Sequence, residues 1–352
     1  MGESKAAPSG ELSERERKIL NSVVESFVDS SVPVGSRTLA KRFKLAISPA
    51  TIRNTMMDLE ERGFIAQPHT SAGRVPTDLG YRYYVDNLEA VKELGEKERR
   101  EILEHIRALS QEVEAILEAA SQMLGRISSQ LGVVLSPRFL QGVFEKMEIV
   151  PVSDTKLMLV VTIKGGLVKT ILMEIDRQVS RHTLEDTARV INERLHGLTL
   201  DGIKLSIDQR LHGVNRGDSS LVQLIVKSAD KLFNFDEDRY FRFGGTNNIM
   251  AQPEFSDHQK FASILELLEN KEMIVHVFGQ EAATSELSIT IGTENKDELL
   301  KHCTLITATY HIGNVTGTVG VLGPTRMQYP KTIALVDYMA RAISSVLEQR
   351  PL

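Results

Sequence analysis

The sequence predicts an α+β multidomain protein: helices first, strands later, and a helical interruption within the strands. Three observations predict it. Apolar residues recur at helical spacing as far as residue 131, strand-like apolar runs begin at residue 146, and between residues 178 and 255 the helical pattern returns before strands resume. A chain of 352 residues has room for two or three domains, each with its own core.

Residues 1–11 (MGESKAAPSGE) are small, polar and contain Pro and Gly, the composition of a disordered tail. From Ser13 to Val28 the residues Ile19, Val23 and Phe27 repeat at i, i+4, i+8 and predict a helix. Ser36 is expected to cap a short second helix, TLAKRFK, with Leu39 and Phe43 inward. A third helix opens at Ser48, a capping residue, with Pro49 suited to the first helical position. Ile52, Met56 and Leu59 face a core, and Gly63 stops it. FIAQPHTSAGRVP then reads as two short strands around a Ser-Ala-Gly tip, their pairing limited by Pro68 and Pro76. Residues 12–90 thus form a compact module: a helix-turn-helix followed by a hairpin, which makes it a winged helix.

Residues Glu96 to Leu131 carry Ile102, Ile106, Leu109, Val113, Ile116, Ala120, Met123 and Ile127 in steps of four and three. This heptad seam predicts one long helix, either a dimer coiled coil or a helix lying across a sheet. Strands KMEIVPVS, KLMLVVTIK and LVKTILMEI follow, the last two joined by Gly165-Gly166. TLEDTARVINERL and DSSLVQLIVKSADKLF are helical, and Gly244-Gly245 follows them. Strands resume at EMIVHVF, ELSITIG, CTLITATYHI and VTGTVGVLG, and an amphipathic helix from Lys331 to Leu347 closes the chain. The economical reading is one sheet bracketed by helices, its parts 91–177 and 256–352 separated by an insertion at 178–255.

Composition narrows the function. Hydrophobic content of 41% and charged content of 25% are ordinary for a globular protein, and no apolar run approaches a membrane span. Residues 1–11 do not read as a secretory signal, and the single cysteine, Cys303, excludes an intramolecular disulfide and fits a reducing cytoplasm. The net charge of −5 argues by itself against a nucleic-acid partner. Its distribution does not. From Pro33 to Pro76 seven basic residues (Arg37, Lys41, Arg42, Lys44, Arg53, Arg62, Arg74) face three acidic ones (Asp58, Glu60, Glu61), a local +4 that suits a polyanion.

The outer face of the third helix, SPATIRNTMMDLEERG, changes character along its length. Ala50, Arg53 and Asn54 come early, Asp58 and Glu61 late. A recognition helix enters the major groove by its N-terminal end and rises away from the DNA. Ala50 and Thr51 permit close approach there, while Arg53 and Asn54 suit guanine and adenine edges. The carboxylates are tolerable only where the helix has left the groove. Free N–H groups near Ser48 and Pro49 attract phosphate, and Arg37, Lys41 and Arg42 stand ready to hold the backbone. In the hairpin His69, Thr70, Ser71 and Arg74 flank the tip, with groups suited to phosphate or the minor groove. The alternative for the helix is a protein-interaction module, and for the hairpin an ordinary polar turn.

Catalytic readings fare poorly. Cys303 begins an apolar strand, where a buried thiol is commoner than a nucleophile. The nine histidines show no metal-ligand spacing, and GTVGVLG lacks the Gly-Lys-Ser/Thr ending of a phosphate loop and precedes Pro324. No catalytic residue, metal or cofactor is therefore expected.

SPATIRNTMMDLEERGFIAQPHTSAGRVPTDLGYRYYVD resembles the N-terminal signature of the heat-inducible transcription repressor family, HrcA. GGTNNIMAQPEF and GTVGVLGPTRMQYPKTI resemble that family's later motifs, in the same order. The resemblance implies a dimeric repressor that binds double-stranded DNA at an inverted-repeat operator upstream of chaperone operons. It implies a winged helix, a GAF-like domain and a dimerising domain inserted into the latter, and a GroE chaperonin that keeps the repressor active. The family pattern falls on Ser48 to Asn54 for the recognition helix and on His69 to Arg74 for the wing. Two rival readings stand: a GAF-type regulator that senses a small molecule, and a module that binds protein instead of DNA.

Overall fold

The structure, a computed structural model, describes residues 11–44, 47–70, 72–88, 93–109, 113–137, 142–164, 167–214, 216–233, 241–281 and 286–348. The first helix, α1 (Glu14–Ser30), starts with a reciprocal cap: the Glu16 amide donates to Ser13 Oγ at 3.3 Å and the Ser13 amide to Glu16 Oε2 at 2.8 Å. The Ser13 hydrogen bonds, with Arg62 adding to them, hold the Glu16 carboxyl below the usual carboxylate range. Helices α2 (Ser36–Phe43) and α3 (Pro49–Glu61) pack on α1 around Ile19, Leu20, Val23, Leu39, Ile52 and Leu59, all fully buried. Ser36 is not the cap expected from the sequence. Gly35 occupies that position without a side-chain bond, and Ser36 is the first helical residue. Strands β1 (Ile65–Ala66) and β2 (Val75–Pro76) pair antiparallel, and Arg74 exchanges backbone hydrogen bonds with Val34 at 2.8 and 2.9 Å. A Cβ on Gly73 would lie 2.5 Å from the Val34 carbonyl carbon, so glycine allows the ribbon to reach that segment. Helix α4 (Asp78–Asp86) follows, capped by Thr77.

The long helix expected over 96–131 is two helices, α5 (Glu96–Arg107) and α6 (Val113–Ser128), followed by strand β3 (Leu131–Leu135). Arg126 pairs with Glu101 at 2.5 Å. In a straight helix those residues would stand roughly 37 Å apart, so α6 folds back beside α5. The apolar seam is divided: α5 meets the C-terminal helix, whereas α6 lies between that helix and the sheet.

Strands β4 (Phe144–Ser153), β5 (Lys156–Ile163) and β6 (Leu167–Glu174) form a separate three-stranded antiparallel sheet, in the order β4-β5-β6. Helices α7 (Arg181–Leu195), α8 (Leu200–Leu211), α9 (Ser219–Lys227) and α10 (Ala229–Phe233) belong with it. Asn192 of α7 grips β4 through both Met147 backbone groups, at 2.7 and 3.0 Å. The Leu198 carbonyl accepts from the Phe144 amide at 2.8 Å. Residues 142–233 therefore pack as one unit, and the sequence division at 178 runs through it.

Strand β7 (Phe241–Gly244) returns to β3, and α11 (Thr246–Met250), α12 (His258–Glu269) and α13 (Lys271–Glu281) follow. Then come β8 (Leu287–Ile291), β9 (Cys303–Ile312), β10 (Val315–Pro324) and α14 (Tyr329–Leu347). The five-stranded sheet is antiparallel throughout, in the order β7-β3-β10-β9-β8. The single sheet expected from the sequence is thus two, and the 178–255 division also assigns β7 and α11 away from the sheet they complete. Both faces of the five-stranded sheet are covered. Val134, Ile306, Tyr310, Val319 and Val321 point into the core shared with α5, α6 and α14, while Leu131, Val133, Leu305 and Leu322 meet Ile264, Ile274 and Phe278 of α12 and α13. Double coverage explains why these strands read as continuous apolar runs. Glycine lets α6 sit close: a Cβ on Gly244 would stand 2.1 Å from the Ser121 carbonyl oxygen.

EMIVHVF, expected as a strand, lies within α13. Ile274 and Phe278, one helical turn apart, are both buried against the sheet. Among the described residues no helix is long and apolar enough to cross a membrane, and no cluster of His, Cys, Asp or Glu could hold a metal ion. Cys303 is buried beneath α12, and desolvation pushes its thiol up to about 12, which removes the thiolate a nucleophile needs.

Candidate nucleic-acid interface

Helix α3 is positioned by its own cap and its buried stripe. Ser48 Oγ accepts from the Thr51 amide at 3.1 Å and shares a 2.9 Å hydrogen bond with Thr51 Oγ1, so both hydroxyls fix the helix start. Pro49 sits at the first helical turn, where a missing N–H costs nothing. Ile52, Thr55, Met56 and Leu59 face the core. The opposite face presents Ala50, Arg53 and Asn54 to solvent, then Met57, Asp58 and Glu61. The side chain of Arg53 makes no ion pair or hydrogen bond among the described residues. Arg37 and Lys41, one turn apart on α2, are exposed and equally without an ion pair there. Three cations and a row of small and amide groups thus lie on the exposed surface of α2 and the first half of α3.

Two expected contacts are otherwise engaged. Arg42 is ion-paired with Asp29 at the end of α1. Arg74 is turned back from the ribbon tip to α3, where Nη2 and Nε lie 2.7 and 2.8 Å from Glu60 Oε2, and its side chain is only 19% exposed. Of the tip, His69 and Thr70 are exposed, and Ser71 falls outside the described residues.

Three residues escaped the sequence reading. Gln67 Nε2 donates to the carbonyls of Thr70 at 2.9 Å and Ala72 at 3.1 Å, while the Ala72 amide donates to His69 O at 2.8 Å. The tip is shaped by this amide, which no periodicity would single out. Glu60, only counted in the local charge, is the anchor of Arg74. Met57 is 47% exposed one turn beyond Arg53, an apolar group on an otherwise polar face.

Residues 114–333 match the family described as HrcA protein C terminal domain. The chain is 44% identical to the heat-inducible transcription repressor HrcA of Chlorobium chlorochromatii over 343 residues, covering 96% of this chain and 98% of the relative. The chain belongs to the HrcA family. Another HrcA repressor, from Prosthecochloris aestuarii, is 42% identical over 347 residues, covering 95% of this chain and 97% of its own length. Among solved structures, the crystal structure of a hypothetical protein at 2.2 Å resolution aligns with a TM-score of 0.61 and 21% identity, over 96% of this chain and 99% of that one. That likeness supports the HrcA-family chain's overall fold and nothing more specific. The HrcA family is one of transcription repressors.

Proposed function

We propose that the chain represses transcription as a homodimer that binds double-stranded DNA at an inverted-repeat operator of chaperone genes. Residues 12–90 act as a winged helix, with α3 in the major groove and the β1–β2 ribbon as the wing. The observation that carries this reading is the asymmetry of α3. Its capped start presents Ala50, Arg53 and Asn54 to solvent, and its carboxylates stand at the far end. Arg53 and Asn54 read base edges, Arg37 and Lys41 hold phosphates, and the capped start of α3 offers the Ala50 amide, which the cap leaves untaken, to a phosphate. His69 and Thr70 bring the wing to the backbone. A protein-binding module would not require this ordering of charge along one helix.

The second copy sits on the outer face of the three-stranded sheet. Val150, Met158 and Leu172 form one cross-strand row there, flanked by Val168 and Val152, and Leu172 is 62% exposed. Lys146 with Glu148 and Lys156 with Glu174 give that face a rim of both signs, which suits contact of a patch with itself. The sequence favoured 178–255 for this contact. Its exposed large apolar residues, Leu205 and Met250, belong to separate helices, whereas the apolar row lies upstream. The five-stranded sheet with α5, α6 and α14 serves as the GAF-like body. Cytoplasmic location and support of activity by the GroE chaperonin belong to the same reading, on the family resemblance.

Gel-shift titration of the purified protein on its own genome's chaperone promoters, repeated across a salt series, tests it. Operator binding that exceeds scrambled-DNA binding, and that weakens steeply with salt, is expected. Equal and salt-insensitive binding to both DNAs would sink it.

A further inference from the structure

We infer that Arg82 and Arg326 are positioning residues for operator binding: together they lock the N-terminal module to the body at one angle, so that the body sets half-site spacing. The inference rests on the DNA-binding reading above. It starts from a coincidence of motifs. The three stretches PTDLGYRYYVD, GGTNNIMAQPEF and GTVGVLGPTRMQYPKTI lie far apart in the chain, yet they meet at a single joint.

Helix α4 presents Asp78, Tyr81 and Arg82, at i, i+3 and i+4, to the body. Arg82 grips Glu294 with two parallel hydrogen bonds, Nε to Oε1 at 2.7 Å and Nη2 to Oε2 at 2.5 Å, and Nη2 also donates to the Ile289 carbonyl at 2.6 Å. Asp78 Oδ2 accepts from both the amide and the hydroxyl of Thr293, at 2.9 and 3.0 Å. A Cβ on Gly292 would lie 2.2 Å from that carboxylate, so the two surfaces are in direct contact. The second clamp is Arg326, in the link between β10 and α14. It takes Glu254 with Nε at 2.5 Å and Nη2 at 3.1 Å, and its Nη1 donates at 3.1 Å to the Val28 carbonyl, one of the orphan acceptors in the last turn of α1. Between the clamps Tyr329 packs against Tyr81 and Tyr84, with ring centroids 5.7 and 6.5 Å apart.

A single contact would leave a hinge. Here α4 and the end of α1 are held separately: Arg82 of α4 crosses to Glu294 with a two-point planar fork, while Arg326, oriented within the body by its own fork on Glu254, holds the end of α1 through one hydrogen bond to the Val28 carbonyl. Neither arginine lies on the exposed face of α2 or α3, so neither is expected to touch DNA. Their effect on binding is therefore geometric. A module held at one angle presents α3 to two half-sites at one separation only, and a loosened module accepts several separations.

The test uses the full-length protein and three variants: Arg82→Ala, Arg326→Ala and Gly292→Ala, the last a wedge that removes no charge. Binding is measured on a single half-site, on the whole operator, and on operators whose half-sites are moved by a few base pairs. Expected are half-site affinities within about twofold of wild type, a loss of roughly tenfold on the native spacing, and a flattened spacing preference. The swap Arg82→Glu with Glu294→Arg should restore part of that preference. In parallel, spin labels at Val32→Cys and Arg341→Cys report the module-to-body distance without DNA. A narrow distribution that broadens in the variants supports the lock. Equal losses on half-site and operator, an unchanged spacing preference, or an unchanged distance distribution would each overturn it. Because the distance is read without DNA, loss of the lock is distinguishable from a wild-type protein that fails to bind operator.

Discussion

The guanidinium of Arg74 and the carboxylate of Glu60 tie the ribbon to α3 at 2.7 Å, in a pocket where both side chains are less than one-third exposed, at 19% and 32%. The basic residue that the sequence reading set beside the ribbon tip is thus a strut between ribbon and helix. An arginine already neutralised by a carboxylate and anchored by its backbone to Val34 releases few counterions when DNA arrives.

That pairing fixes the first prediction. Arg74→Ala and Glu60→Ala should weaken operator binding to similar degrees, because each frees the ribbon from the helix. Neither should change the slope of log affinity against log salt by as much as half a unit. A double-mutant cycle on stability should give a coupling of about 0.2–1 kcal/mol, the range for a partly exposed pair. A slope shallower by about one unit in Arg74→Ala would instead return this residue to the phosphate backbone.

Arg53 and Asn54 carry the second. Each replaced by alanine should cost roughly 1–3 kcal/mol on the operator and relax preference at one base position. Asp58→Ala should leave that preference intact and tighten binding to scrambled DNA, since a repelled charge is removed. Titrations on operator and scrambled duplexes separate these outcomes. Parallel losses on both duplexes for Arg53→Ala would reduce Arg53 to a backbone contact.

Ser48 separates stability from recognition. Ser48→Ala removes the acceptor for the Thr51 amide and should lower stability by about 1 kcal/mol. Ser48→Asp keeps an acceptor at the cap, so it should melt close to wild type, yet it sets a negative charge where a phosphate is expected. Thermal melts and gel shifts on the two variants should therefore rank them in opposite orders. A Ser48→Asp protein that binds operator as wild type would mean that no phosphate approaches this helix start.

Much of this was legible in local chemistry. Ser13 with Glu16, Ser48 with Pro49, and the apolar stripe of α3 announce helix starts and buried faces through bonds made within four residues. What was lost depends on contacts that distant residues supply. The run containing Ile274 and Phe278 suits a strand or a buried helix equally, and only its seat against Leu305 and Leu322 decides for a helix. The seam over 96–131 keeps its period across a chain reversal, since both halves need an apolar stripe: α5 packs on α14, and α6 on α14 and the sheet. At the site, exposure of Arg53 followed from helical spacing, whereas the pairing of Arg74 crosses 14 residues of chain and the Arg82–Glu294 clamp crosses 212. Separation of strands into two sheets is equally invisible, because alternation specifies a face and not a partner.

The last prediction concerns the row formed by Val150, Met158 and Leu172. On the inner face of the same strands Leu157, Leu159, Val161 and Met173 are buried, so the outer apolar residues are not needed to hold the unit together. A carboxylate placed among them should break association without unfolding the protomer. Leu172→Asp should sediment as a monomer at micromolar concentration, where the wild type is expected to be a dimer, and should melt within a few degrees of it. It should retain weak half-site binding and lose the dependence on half-site spacing, because spacing is a property of the two-fold pair. Removing the whole unit is a stronger version, with the boundaries that packing dictates. Excising 178–255 would take β7 from the edge of β3 and damage the body, whereas replacing 142–233 with a Gly/Ser linker leaves the five-stranded sheet its partners. Sedimentation of both proteins decides the matter. If Leu172→Asp remains a dimer at micromolar concentration, the second copy does not sit on this sheet face, and the exposed Leu205 side of α8 becomes the surface to alter next.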